Sequence, residues 1–221
     1  MEEAELRVRL LQHTADPESM AALAAKLCYS GAEIEELKNR IDAKEQQEFI
    51  VKLIRMGHLS AIEHISFTFA VEGVSRALLA QITRHRIASF SVRSQRYVPE
   101  KDFKYIVPPG IKALGREFED EYKKQMEQCR KWYEYWVERL EASAKGGRED
   151  ARYVLPNATE TKFIMTMNAR ELLHFFNLRC CNRAQWEIRS LAREMLRHAM
   201  EAAPSIFKNA GPSCVVGPCP E

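Results

Sequence analysis

Long apolar runs are missing from this chain of 221 residues: none approaches the roughly 20 residues that span a bilayer, which excludes a membrane helix. The opening Met-Glu-Glu-Ala-Glu is acidic and has no apolar signal core, so no leader is expected. Strong net charge is missing too. Thirty-three Lys and Arg against 31 Asp and Glu leave +2, which argues against broad nucleic-acid binding and confines any taste for anions to local clusters. The common glycine-based phosphate loops, GxxxxGK[ST] and GxGxxG, do not occur, nor does a serine-hydrolase elbow. Cysteine occurs six times, but irregularly, in a chain too long for a disulfide-stapled mini-scaffold, so a reduced cytoplasmic protein is expected. Cys180 and Cys181 are adjacent, Cys214 and Cys219 are separated by four residues, and no histidine lies near either pair, so no metal site is expected there. His58 and His64, six apart across a helix-to-strand junction, do not share a helix face and make no metal pair. There is no internal repeat or low-complexity tract.

What is present is a chain 46% hydrophobic and 29% charged. It is long enough for one core that buries roughly 70–75% of the unfolded surface, and a single domain over residues 1–221 is expected. Alternation over Glu5–Leu11 predicts a strand, and Asp16-Pro17 opens a helix over Ser19–Tyr29 with Asp16 as N-cap. Helical spacing of Phe49, Ile50, Leu53 and Ile54 predicts a helix over Ala43–Met56, stopped by Gly57. His64–Val71 alternates as a half-buried strand, and Ser75 caps a short helix through Thr83. After a proline-marked loop, a long helix from about Gly115 to Lys145 carries Phe118, Tyr122, Trp132, Tyr133, Tyr135, Trp136 and Leu140, and Gly146-Gly147 ends it. Thr159–Met167 reads as a strand, Asn168 starts a helix through Leu178, and Ala184–Ala203 is a last long helix stopped by Pro204. The tail from about residue 204, with Gly211-Pro, Gly217-Pro and Pro220, reads as irregular. Strands separated by helices of uneven length give an α+β class.

One window concentrates the chemistry. Gln81 to Tyr97 holds Arg84, His85, Arg86, Arg93 and Arg96 with Ser89, Ser91 and Ser94 threaded between them. Planar cations and small hydroxyl donors suit a polyanionic ligand, because guanidinium forks match phosphate oxygens in pairs. A solvated charged loop is the plain alternative. Asn168-Ala-Arg170 at a strand-to-helix turn, Asn177-Leu-Arg179 at the end of that helix and Arg152 before Val154-Leu155-Pro156 add further donors at element ends.

Arg84-His85-Arg86, then Ile87 to Arg93, then Ser94-Gln95-Arg96-Tyr97, resembles the signature of the flavin-dependent thymidylate synthases: Arg-His-Arg, seven variable residues, Ser. Gly57-His58-Leu-Ser60 with Glu63-His64, Ala151-Arg152 to Pro156, Asn168-Ala-Arg170, Asn177-Leu-Arg179 and Ala184-Gln185-Trp186-Glu187 resemble other segments of the family in the same order, across residues 5 to 205. The resemblance implies a mixed or antiparallel sheet flanked by long helices. It implies conversion of dUMP to dTMP with methylenetetrahydrofolate as carbon donor, NADPH as reductant and FAD as hydride carrier. It also implies a homotetramer with shared sites; the aromatic-rich long helix is in keeping with that, or with simple cover for the sheet. Ser60, Arg84, His85, Arg86, Val92, Asn168, Ala169, Arg170 and His174 match flavin positions. Gln81, Ile82, Thr83, Arg84, Val92, Arg93, Ser94, Gln95, Arg96 and Arg152 match dUMP positions. Arg179 matches the cation that faces the pyrimidine and acts in catalysis. Ser94 is read as an orienting partner, not a nucleophile. His58 and Glu149 match polar positions at the border of the site, although His58 also suits a helix C-terminal cap. The cysteines are given no part in the reaction.

The chain departs from the family pattern at three positions: Val92 stands where Glu or Gln is common, His174 where Asn is frequent, and Arg183 where His is frequent. An inactive dUMP- and flavin-binding protein on the same scaffold is the alternative. An RNA-binding loop is a third, and the lack of aromatics interleaved among the arginines speaks against it.

Overall fold

The computed structural model describes residues 2–39, 43–143, 147–215 and 217–218. In chain order the elements are β1 (Arg7–His13), α1 (Pro17–Leu27), α2 (Ile34–Asn39), α3 (Ala43–Arg55), a 3-10 turn (Ser60–His64), β2 (Ser66–Ser75), α4 (Arg76–Ile82), β3 (Ala88–Val92), α5 (Pro109–Ala113), α6 (Arg116–Ala142), α7 (Arg148–Ala151), a 3-10 turn (Arg152–Val154), β4 (Glu160–Asn168), α8 (Ala169–Arg179), α9 (Trp186–Ala202), α10 (Pro204–Phe207) and a 3-10 turn (Ser213–Val215). The strands form one antiparallel sheet in the order β1-β2-β4-β3, and the class is α+β, as expected. Met1, Lys145, Gly146, Cys219 and Pro220, named above, lie outside the described residues.

Local side-chain chemistry sets the starts of three helices. Ser75 Oγ accepts the Leu78 N–H at 3.0 Å at the head of α4, and Asn168 Oδ1 accepts the Glu171 N–H at 2.9 Å at the head of α8. Gln185 Oε1 accepts the N–H groups of Glu187 and Ile188, so α9 begins at Trp186, two residues after the expected Ala184. Asp16 occupies the N-cap of α1 in a left-handed conformation (φ 45°) and makes no side-chain cap bond; Pro17 opens the helix. Gly57, at φ 79°, ends α3 with a paired closure: its N–H reaches Ile54 O and the His58 N–H reaches Leu53 O, both at 3.0 Å.

Several elements differ from expectation. Part of the arginine window is a strand, β3, and not an open loop. The short α2, α5 and α7 and the three 3-10 turns were not foreseen. Pro204 breaks α9 but starts α10, where a proline at the first helical position loses no hydrogen bond. Tyr133 of α6 is fully buried, and its hydroxyl accepts the Glu100 N–H at 3.2 Å; Trp132, Tyr135 and Trp136 face outward.

The backbone falls into two compact units. One comprises residues up to Arg7, Val71–Arg84 and Ser91–Phe163. Its core packs Phe103, Tyr105, Val107 and Met126, with a second cluster of Tyr133, Val137 and Ala151. Gly73 of β2 is required there: its φ is 71°, and a Cβ would stand 1.8 Å from the backbone oxygen of Glu5. Gly73→Ala is expected to cost about 3 kcal/mol through strain and backbone displacement, read as a lower urea midpoint with an unchanged slope.

The other unit comprises Val8–Ala70, His85–Phe90 and the chain from Ile164 onward. Ala25, Leu53 and Ala61 form one cluster. A series of edge-to-face rings forms another: Phe67 on Phe207 (5.4 Å), Phe207 on Phe176 (5.8 Å), Phe176 on Phe175 (5.8 Å) and Phe175 on His85 (5.0 Å). Each such pair contributes about 0.5–1.5 kcal/mol beyond area burial. The series ends on an imidazole, so the core of this unit holds a candidate site residue in place.

Candidate active site

α8 builds the most ordered part of the site. Its buried Leu172, Phe175 and Phe176 fix the helix, and the same roll brings Glu171 inward at 7% exposure. His85, at 6% exposure, bridges two side chains of α8: Nδ1 lies 3.2 Å from Glu171 Oε1, and Nε2 lies 3.1 Å from Arg179 Nε. An arginine Nε–H can only donate, so His85 Nε2 accepts and Nδ1 carries the proton to Glu171. Burial holds the His85 pKa below the ordinary imidazole value. Arg179 and His174 act in the same direction, and Glu171 opposes them through its hydrogen bond and its charge. His85 is therefore neutral near pH 7. The His174 ring lies 6.2 Å from that of His85 and is exposed.

At the other end of α8, Ala169 is buried and its N–H bonds Ile65 O at 2.8 Å. Arg170 forms a short ion pair with Glu63 in the turn that begins at Ser60. Ser60, Arg86, Arg170 and His174 are all exposed in this unit, as is His58, whose main chain closes α3. This donor set, two guanidiniums, an imidazole and a hydroxyl, fits a phosphate-bearing cofactor with a conjugated ring.

The other unit holds most of the residues expected to meet a nucleotide. α4 presents Gln81, half-buried; Ile82 is fully buried and has only its main chain to offer. The Thr83 hydroxyl donates to Leu79 O at 2.8 Å, and Arg84 is exposed. Ser94 Oγ accepts the Arg96 N–H at 3.1 Å and shapes the turn after β3; Val92 is half-buried. Arg96 Nε pairs with Glu149 at 2.6 Å, while Arg152 Nε donates to Glu149 O at 3.0 Å, so Arg96, Glu149 and Arg152 come together. Gln95 is buried at 8% exposure, and among the described residues its Nε2 has no hydrogen-bond partner.

Arg93 is placed differently. Its Nη2 meets both Glu100 oxygens at 3.2 Å and Glu160 O at 2.8 Å, and Nη1 meets Glu160 Oε2 at 3.1 Å. Glu160 Oε1 also accepts the Gly73 N–H at 3.2 Å. Burial pushes the Glu100 carboxyl above its ordinary range, with Arg93 opposing. A polar cavity of about 750 Å³ lies beside this cluster, lined by Glu5, Glu72, Arg93, Glu100 and Glu160 among others, and of the expected site residues only Arg93 reaches it. Burial pushes the Cys180 thiol up to about 11, so it stays protonated at neutral pH and packs as an apolar group.

Glu171, Glu100 and Glu160 were not foreseen. A signal for Glu171 existed: it stands three residues after the N-cap Asn168, where a carboxylate usually folds back on the cap. Here it reaches His85 instead.

Comparison with known proteins decides the family. The family described as Thymidylate synthase complementing protein matches residues 9–205. The chain belongs to the thymidylate synthase complementing protein family. Among curated members similar to it, the flavin-dependent thymidylate synthase of Geobacter sulfurreducens is 50% identical over 218 residues, covering 98% of this chain and 91% of that one. The flavin-dependent thymidylate synthase of Clostridium tetani is 48% identical, with the same coverage. A UMP/dUMP methylase from Streptomyces cacaoi, crystallised with 5-Br dUMP, superposes with a TM-score of 0.79 over 94% of this chain and 96% of that one; at 24% identity the likeness is one of fold. The segment matched by the thymidylate synthase complementing protein family contains every candidate site residue, from His58 to Arg179.

Proposed function

We propose that this protein is a flavin-dependent thymidylate synthase. It transfers the methylene carbon of methylenetetrahydrofolate to C5 of dUMP, with NADPH as reductant, and yields dTMP and tetrahydrofolate. The observation that carries this reading is the near-full-length identity, 50% over 98% of the chain, to a protein of that name. FAD, when bound, supplies the hydride chemistry. The chain supplies binding, orientation and charge. Ser60, Arg84, His85, Arg86, Asn168, Ala169, Arg170 and His174 hold the cofactor, with Val92 serving through its backbone. Gln81, Ile82, Thr83, Arg84, Val92, Ser94, Gln95, Arg96 and Arg152 hold dUMP, and the unpartnered amide of buried Gln95 supports an acceptor from the ligand. Arg93 serves the nucleotide indirectly, by fixing the strand end from which Ser94 and Gln95 project. Arg179 faces the pyrimidine and stabilises negative charge as it develops there. His58 and Glu149 border the site, and Glu149 yields Arg96 when a phosphate arrives. The working form is a cytoplasmic homotetramer of one family domain over residues 1–221. No helix among the described residues is long and apolar enough to cross a membrane.

The test is direct. Purified protein reconstituted with FAD is expected to be yellow, to bleach under NADPH with dUMP, and to form dTMP only when the folate is also present. Protein that stays colourless with FAD, or that binds dUMP without turnover, would reject the assignment.

A further inference from the structure

The geometry points to Glu171 as a positioning residue that fixes the tautomer of His85 and, through it, the direction of the Arg179 guanidinium. This rests on the reading above, in which Arg179 faces the pyrimidine.

Three contacts carry the inference. Glu171 and His85 are both nearly fully buried and stand 3.2 Å apart, so the carboxylate selects a proton on Nδ1. His85 Nε2 is left with a lone pair, and it accepts the Arg179 Nε–H at 3.1 Å. The imidazole plane is fixed by Phe175 at 5.0 Å, packed edge to face. With Nε anchored, Arg179 has two terminal nitrogens left, and among the described residues neither has a hydrogen-bond partner. The half-exposed fork therefore presents Nη1 and Nη2 side by side, in the spacing of two acceptors on a planar anionic ring edge. The opposite tautomer would set an imidazole N–H against the arginine N–H. Two donors cannot bond, and the guanidinium would lose its anchor. A doubly protonated His85 has the same fault, and the burial that keeps the ring neutral guards against it. Glu171 touches neither ligand in this scheme; it acts only through His85.

Nitrogen-15 spectra of the histidine side chains of the full-length protein test the first link without any turnover. The wild-type is expected to show His85 protonated on Nδ1 alone and an Arg179 Nε–H protected from solvent exchange. Glu171→Gln keeps the size but removes the charge, and its amide serves either tautomer. That variant is expected to show mixed tautomers, a fast-exchanging Arg179 Nε–H and a kcat lowered by about 10–100-fold. Its KM for dUMP is expected to stay within about threefold and its flavin content to stay unchanged, because the loss is in orientation and not in binding. A wild-type His85 protonated on Nε2 overturns the inference, and so does a Gln variant with kcat within about twofold of wild-type. Should the Gln variant fail to fold, the wild-type spectrum alone decides. Wild-type protein that forms no dTMP rejects the functional reading instead, and the imidazole spectrum still judges the anchoring of Arg179.

Discussion

Replacing Arg179 by alanine is expected to lower kcat and kcat/KM together by about 10²–10³-fold, the range seen when one preorganised transition-state donor is removed. The substitution should leave the fold nearly intact. The side chain is half-exposed and gives up one hydrogen bond, to His85 Nε2. His85 keeps its bond to Glu171 and its ring contact with Phe175. A loss of about 1 kcal/mol is then the expected stability change, a melting shift of about 2–4 °C for a chain of this size. Steady-state kinetics and thermal melting on the same preparation separate the two effects. Unchanged turnover would remove Arg179 from the pyrimidine. A melting temperature lowered by tens of degrees would make it a structural residue.

Arg93→Ala should do the reverse, with a large loss of stability. Arg93 is the shared cation for Glu100 and Glu160, whose side chains are 2% and 8% exposed. Removing one partner of a buried pair typically costs about 3–5 kcal/mol, because the charge left behind keeps its desolvation penalty. Here two carboxylates are left. The loss should depend on pH, with a definite sign. Burial already raises the Glu100 pKa above its unfolded value, so Glu100 weakens the fold as pH climbs from the unfolded carboxylate range through the folded one. Without Arg93, the largest opposing influence is gone. Urea midpoints of the variant should therefore fall further below wild-type at pH 8 than at pH 5.5. An equal deficit at both values would show that the carboxylates are compensated by other groups.

The two arginines also mark what the sequence could and could not disclose. Helix starts at Ser75 and Asn168 were legible because the capping atoms lie within three residues of their targets. β2 and β4 were legible because Phe67, Phe69 and Val71, and Phe163, Met165 and Met167, alternate inward. β3 was not: its alternation is Ser-Phe-Ser between arginines, and its pairing depends on distant chain, as in the Arg93 N–H bond to Lys162 O at 3.0 Å. α2 and α5, of six and five residues, are too short for periodicity to register. In the site, the arginine window offered Arg93 as one more anion contact; the fold pairs it with Glu100 and with Glu160, 67 residues away. Glu171 was hidden for the same reason, since its partner lies 86 residues away. Signatures report which residues recur together; they do not report which of them are already bonded to one another.

The row of rings from Phe67 to His85 makes interior packing a lever on chemistry. Phe207 is fully buried, so trimming its ring would cost stability and also remove packing from the row that ends on the imidazole. Variation in that hydrophobic interior is thus filtered by catalytic tempo, and drift there should be slower than in an equally well-packed wall that leads nowhere.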